Sequence, residues 1–133
     1  MNEAISFAEK AIHLSPCDPV VGDRYFVIGQ AHLLQSHIDD AIMWLERSVS
    51  ARPRLPLNRG WLTAAYALKG DTQRAAAALA EARRLASEGF FSSIARRRLE
   101  WSSGVGRGAR PEIHALFDTT YFAGLRKAGV PEE

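Results

Sequence analysis

Small and apolar residues recur along the chain at steps of three and four, the spacing of one face of an α-helix. The pattern occurs in three segments that begin at Ala4, Ala41 and Ala75, and Pro16 and Pro53 close the first two. The starts of these segments lie 37 and 34 residues apart. A repeat of this length predicts a stack of similar helical units.

A second helical pattern precedes each of the last two segments. Gly29 lies twelve residues before Ala41, and Thr63 lies twelve residues before Ala75, so the two units share one register. We therefore predict antiparallel helix pairs and no sheet, since no alternating strand pattern of useful length occurs. The predicted helices lie near residues 2–14, 19–35, 38–51, 56–69, 72–87, 91–101 and 111–128.

Turn and cap residues support these boundaries. Pro19 and Pro56 suit the first position of a helix, where the missing N–H is not needed. Ser36 and Asp71 are predicted to cap the second helix of each pair through their side-chain oxygens. Gly89 follows the helix that is predicted to end near residue 87.

The period and several positions resemble the tetratricopeptide repeat, a family of stacked helix pairs. The residues that carry this resemblance are Pro16, Gly29, Ala41, Pro53, Tyr66 and Gly70. Tyr25 and Arg59 stand where the family usually has tryptophan, and Thr63 stands at one of its glycine positions. The resemblance implies an all-α superhelix over residues 1–88, made of a half repeat and two full repeats. Residues 89–133 are then a C-terminal helical extension, with a glycine-rich linker near residues 102–110.

Residues 121–132 carry a second resemblance, in the sequence Tyr-Phe-x-Gly-Leu-Arg-Lys-Ala-Gly-Val-Pro-Glu. It is similar to the ending of bacterial multidomain proteins in which a nucleotide cyclase or winged-helix domain precedes a tetratricopeptide array. This resemblance implies that the chain is the regulatory or scaffold end of a larger signalling protein. The expected function is protein–protein interaction, and we expect no enzymatic activity.

The family resemblance also implies a binding groove, because the first helix of each pair lines the concave face of such a stack. Carrying the family's positions over gives a candidate groove of Phe26, Gln30, Leu33, Leu57, Trp61 and Leu68. The groove is mostly apolar and lacks the Lys/Asn set with which some members bind a C-terminal carboxylate. We therefore expect it to bind an apolar helix or extended peptide. Phe26 and Trp61 are the expected anchors, because aromatic residues dominate interface energies.

The chain contains a candidate occupant for this groove. Within residues 111–128, apolar side chains recur at helical spacing, namely Ile113, Leu116, Phe117, Tyr121 and Leu125. We predict that this helix packs on the repeats, either in the chain's own groove near Phe26 and Trp61 or in a swapped homodimer. A protein or peptide partner and the chain's own C-terminal helix are therefore alternative occupants.

The net charge of +2 is unevenly distributed along the chain, because one segment is strongly basic. Residues 83–110 hold seven arginines and two glutamates, a net +5, whereas the remainder holds ten basic and thirteen acidic residues, a net −3. The candidate basic patch is Arg96, Arg97, Arg98, Arg107 and Arg110. It supports an alternative function, a nucleic-acid- or nucleotide-linked regulator. A solvated helix face and loop is the favoured interpretation, because nucleic-acid binders usually add aromatic residues and a domain-wide excess of charge.

Composition and motifs limit which classes of protein remain possible. Hydrophobic residues make up 47% and charged residues 24% of the chain, which is typical of soluble globular proteins. The longest uncharged run has 14 residues, too short to cross a membrane, so we expect a cytoplasmic protein without membrane contact. No catalytic motif occurs, the single Cys17 is expected to be inert, and the four histidines show no metal-ligand spacing. We therefore predict no cofactor and no metal site, and we expect His32 to be a buried packing residue.

Overall fold

The computed structural model describes residues 21–86, 91–103 and 110–133. All regular secondary structure in these ranges is helical, which confirms the predicted all-α fold. The helices are α1 (Val21–Leu34), α2 (Ile38–Ala51), α3 (Pro56–Lys69), α4 (Thr72–Leu85), α5 (Ile94–Ser103), α6 (Pro111–Thr119) and α7 (Tyr121–Lys127). The predicted helix at 2–14 and most of the predicted glycine-rich linker lie outside the described residues.

The first four helices form two adjacent pairs. Helix α1 packs on α2, α3 packs on α4, and α2 contacts α3 between the pairs. Leu45 and Leu79, which are 34 residues apart, are both buried in the second helix of their pair. Gly29 lets α1 approach α2 closely, since a Cβ at this position would lie 2.7 Å from Leu45 Cγ. The two pairs therefore repeat each other in the predicted register.

The turn between α3 and α4 uses a left-handed glycine. Gly70 has φ +92°, and the N–H groups of Gly70 and Asp71 donate back to carbonyl groups of the last turn of α3. This arrangement satisfies carbonyls that the end of a helix otherwise leaves without partners. Asp71 then caps α4, because its side chain accepts a hydrogen bond from the Arg74 N–H at 3.1 Å. The predicted cap at Asp71 is confirmed.

The predicted cap at Ser36 is wrong. Ser36 takes the position equivalent to Gly70 and adopts φ +63°. The residue that precedes α2 is His37, and its side chain makes no cap hydrogen bond. The chain needs a left-handed residue to leave α1, and this requirement places Ser36 one position too early to cap α2.

A buried polar pair joins α2 to α3. Ser48 and Asn58 are both almost completely buried, and the Asn58 Nδ2 donates to the Ser48 Oγ at 3.2 Å. The Ser48 hydroxyl in turn donates to the Leu45 carbonyl at 3.0 Å. Because buried polar groups are costly when unpaired, these bonds fix how the second helix pair sits on the first.

The helix predicted over residues 111–128 is broken into α6 and α7 at Thr120. Thr120 departs from helical geometry, with φ −121° and ψ −79°, and its hydroxyl donates to the Leu116 carbonyl at 2.6 Å. The Thr119 hydroxyl bonds carbonyls of the same turn. Side-chain hydrogen bonds of this kind compete with the regular helical ladder and favour a bend at this point, although the same bond from Thr63 to the Arg59 carbonyl leaves α3 unbroken.

The C-terminal extension packs against the second helix pair. Helix α7 lies on α3, and α6 lies on α7. The end of the chain returns to α5, where the Ile94 N–H donates to the Pro131 carbonyl at 2.7 Å and the Ala95 N–H to the Glu132 carbonyl at 2.9 Å. These carbonyls satisfy amide groups that the first turn of α5 would otherwise leave unpaired.

Candidate helix-binding face

The candidate site is the side of α3 that carries Gly60, Trp61 and Ala64, called here the α3 face. All three residues are buried, and Trp61 is 3% exposed. Tyr121 of α7 stacks on the Trp61 ring, with centroids 4.1 Å apart and planes inclined by 23°. Phe117 of α6 meets the same ring edge-on at 5.5 Å. Aromatic pairs in these geometries are stabilising beyond the area that they bury.

Small residues let α7 come close to the α3 face. A Cβ at Gly124 would lie 2.5 Å from the Ala64 carbonyl oxygen and 2.7 Å from the Ala64 Cα, so the backbones of the two helices are in contact. A Cβ at Gly60 would lie 2.6 Å from the Phe91 ring and 3.2 Å from the Tyr121 hydroxyl. A side chain at Gly124 would require α7 and α3 to separate, and one at Gly60 would require the Phe91 ring to shift.

The residues of the predicted groove differ in accessibility. Leu33 and Trp61 are buried, Phe26, Gln30 and Leu68 are half-buried, and Leu57 is 37% exposed. The two expected anchors touch each other, because the Phe26 and Trp61 rings meet edge-on at 6.3 Å. The C-terminal helix was predicted to pack near Phe26 and Trp61, in the chain's own groove or in a swapped homodimer. Within one chain it contacts Trp61.

Burial controls the chemistry of the Tyr121 hydroxyl. It raises the pKa of Tyr121 above the ordinary value of 10.0, and the Arg97 guanidinium opposes part of this increase. Tyr121 is therefore neutral at physiological pH. Arg97 is itself 5% exposed and lies over the Phe91 ring at 5.4 Å.

The residues of the predicted basic patch face different surroundings. Arg97 is buried beside Tyr121, whereas Arg98 is half-buried, donates to Asp118 at 2.6 Å and lies over the Phe122 ring at 5.1 Å. Arg96 and Arg110 are exposed, and Arg107 lies outside the described residues. Arg97 and Arg98 are thus engaged by side chains of the extension itself.

Phe91, Asp118 and Gly124 were not among the predicted site residues. Gly124 did carry a signal, because an isolated glycine within a helical pattern often marks a packing constraint. Phe91 and Asp118 carried none, since their contacts join elements that are distant along the chain.

A second group of polar residues lies at the turn between α1 and α2. His32, His37 and Asp40 each offer a donor atom, and these atoms lie within 4.8 Å of one another. His32 was expected to be a buried packing residue, but it is half-buried, and its Nδ1 lies 3.4 Å from the His37 Nδ1. Spacing along the chain did not reveal this group, because the left-handed turn at Ser36 brings the two rings together.

None of the helices within residues 21–86, 91–103 and 110–133 combines the length and apolar character needed to cross a membrane. Comparisons with known proteins gave no match among family models, curated proteins or solved structures.

Proposed function

We propose that this chain is a protein-interaction module of the tetratricopeptide type whose α3 face binds an amphipathic helix. One observation carries the proposal: this face holds such a helix, supplied by the C-terminal tail (residues 110–133). Tyr121 of the tail stacks on Trp61, and Gly124 lies against the Ala64 backbone. A surface that packs a helix of its own chain is suited to an apolar helix of similar shape from a partner.

The tail indicates the chemistry of that partner. It presents one aromatic ring to the face of Trp61 and a second, four residues earlier, nearly perpendicular to the same ring. Three residues after the stacking tyrosine it has a glycine at the point of backbone contact. A partner helix with aromatic and small residues at these spacings fits the α3 face, whereas a bulky residue at the glycine position does not.

The tail also limits access to the α3 face. Because it belongs to the same chain, it competes with any partner at an effective concentration on the order of millimolar. Binding in trans therefore requires one helix to replace another at Trp61. A second copy of this chain can supply the incoming helix by the same exchange, which produces a swapped homodimer.

The cellular setting forms the second part of the proposal. We assign the module to the cytoplasm, as the regulatory or scaffold part of a larger bacterial signalling protein that catalyses no reaction in this region. The similarity of residues 121–132 to the endings of such proteins supports this assignment. The polar groups beside the α3 face support binding rather than catalysis, because Tyr121 and Arg97 are buried and closed to a substrate.

A peptide-binding experiment tests the function. A fluorescent peptide of residues 110–133 is titrated into the full chain and into a Gly124→Leu variant, whose larger side chain displaces the tail from Ala64. We expect the variant to bind the peptide more tightly than the unaltered chain, since its own tail competes less. Adding Trp61→Leu to the variant should abolish binding, and adding Met43→Ala, at an exposed residue of α2, should leave it unchanged.

Two results would contradict the proposed function. One is the absence of peptide binding by a Gly124→Leu variant that circular dichroism shows to be folded. The other is binding that persists unchanged after Trp61→Leu, because the peptide would then occupy a different surface.

A further inference from the structure

We propose that His32, His37 and Asp40 bind a divalent transition-metal ion of the Zn²⁺ or Ni²⁺ class, independently of the function proposed for the α3 face. The three residues meet where α1 turns into α2, with their donor atoms within 4.8 Å of one another. His32 lies in the last turn of α1, His37 precedes α2, and Asp40 lies in its first turn. Each is half-buried or exposed, so an ion can reach the group from solvent.

The separation of the two imidazoles fits a shared ion. The Nδ1 atoms of His32 and His37 are 3.4 Å apart. Two metal–nitrogen bonds of about 2.05 Å that meet at a tetrahedral angle hold their nitrogens about 3.3 Å apart. The Asp40 carboxylate supplies a third ligand, and water completes the coordination. Two imidazoles and one carboxylate favour Zn²⁺ or Ni²⁺ over Mg²⁺ and Ca²⁺, which prefer oxygen ligands.

Backbone hydrogen bonds hold the two histidines together. The His37 N–H donates to the His32 carbonyl at 2.9 Å, and the Ser36 N–H donates to the Leu33 carbonyl at 2.9 Å. Ser36 takes its left-handed conformation within this turn. Ligands that are already close lose less conformational entropy when the ion binds, which strengthens binding relative to the same residues on a loose loop.

Comparison of the two helix pairs shows that His37 occupies the position at which the second pair has its helix cap, Asp71. The residues 34 positions after His32, His37 and Asp40 are Tyr66, Asp71 and Arg74. The Asp71 side chain caps α4, whereas the side chain of His37 makes no cap hydrogen bond to α2 and lies against His32. The first pair therefore lacks a stabilising cap at the position where it has a metal ligand.

The site is tested by isothermal titration calorimetry, in which Zn²⁺ or Ni²⁺ is titrated into the full chain without an affinity tag. We expect one ion to bind per chain with micromolar or tighter affinity, and we expect no binding of Mg²⁺. His32→Ala and His37→Ser should each weaken binding by at least about tenfold, and Asp40→Asn should weaken it less. His114→Ala is the matched control, since it removes a histidine of α6, and should leave binding unchanged.

The His37→Ser variant separates loss of the metal site from loss of folding, because serine is a good helix cap. Without metal it should melt at the same temperature as the unaltered chain or higher. With Zn²⁺ it should lack the upward shift in melting temperature that the ion gives the unaltered chain. The proposal is overturned if the tag-free chain binds no Zn²⁺, or if a chain with both His32→Ala and His37→Ser binds Zn²⁺ as tightly as before.

Discussion

Replacing Gly124 with alanine sets helix propensity against the packing of α7 on α3. In an isolated helix this change is favourable by about 1 kcal/mol, because glycine loses more backbone entropy than alanine on folding. In the folded chain the added Cβ would lie 2.5 Å from the Ala64 carbonyl oxygen and 2.7 Å from the Ala64 Cα. Both are backbone atoms of α3, so no change of rotamer can relieve the clash.

The two helices must separate before the alanine fits. Ordinary contact begins at 3.4 Å, so α7 has to move away from Ala64 by about 0.9 Å. This displacement also disturbs the stacking of Tyr121 on Trp61, whose centroids are 4.1 Å apart. Overpacking a well-packed core costs about 1–3 kcal/mol. Because the clash is with backbone atoms, we take the upper part of this range, a cost of about 2–3 kcal/mol. With the propensity gain of about 1 kcal/mol set against it, we expect Gly124→Ala to lower the free energy of unfolding by about 1–2 kcal/mol.

Urea unfolding of the full chain measures this net effect. We expect a lower midpoint with an unchanged m-value, and a melting temperature lower by about 3–8 °C. Ala123→Gly, at the neighbouring half-buried position of α7, is the control and should cost about 1 kcal/mol through helix propensity. A Gly124→Ala chain that is as stable as the unaltered one, or more stable, would refute the close docking of α7 on α3.

Leu45→Ala and Leu79→Ala should each lower the free energy of unfolding in urea by about 2–5 kcal/mol, because both leucines are buried. A loss below about 0.5 kcal/mol at both sites would contradict their core assignment. Ser36→Gly should raise the same free energy by about 0.5–1 kcal/mol, since glycine tolerates φ +63°; an unchanged or lower value would contradict this strain. Burial raises the pKa of Tyr121 in the folded chain, so the hydroxyl loses its proton more easily in the unfolded chain. The free energy of unfolding is therefore unaffected by this group below about pH 10 and falls as the pH rises above that value. Unfolding followed by circular dichroism across the alkaline range should therefore show a smaller loss of stability in Tyr121→Phe than in the unaltered chain. Equal losses of stability would contradict the burial of this hydroxyl.

Local sequence signals were sufficient for the central helix pairs. Helices α2 and α3 have the predicted bounds, because their apolar spacing is flanked by Pro56 at the start of α3 and by Gly70 at its end. Each signal acts within a few residues of the boundary that it determines. The predicted helix at 91–101 is shifted to 94–103, and its start depends on carbonyl groups from the distant Pro131 and Glu132.

The break at Thr120 and the group of histidines depend on geometry that periodicity does not carry. Phe117 and Tyr121 keep helical spacing across the break, so the apolar pattern alone predicts one continuous helix. Whether the Thr120 hydroxyl bonds the preceding turn depends on the packing around it. His32 and His37 are five residues apart, which does not align them on one helix face, and only the turn at Ser36 brings their rings together.

The side chains of the two helix pairs also account for the choice of α3 over α1 as the docking surface for the tail. Gly60, Trp61 and Ala64 of the α3 face correspond, 34 residues earlier, to Phe26, Val27 and Gln30. On α3 a broad ring is flanked by two small residues, so the α7 backbone can reach Ala64 while Tyr121 stacks on Trp61. On α1, Phe26 and Gln30 stand at the positions of the two small residues and would keep a helix at a greater distance. Val27 stands at the position of Trp61 and offers no ring for stacking. A helix therefore cannot approach α1 as closely, and Val27 remains 44% exposed while the equivalent Trp61 is covered.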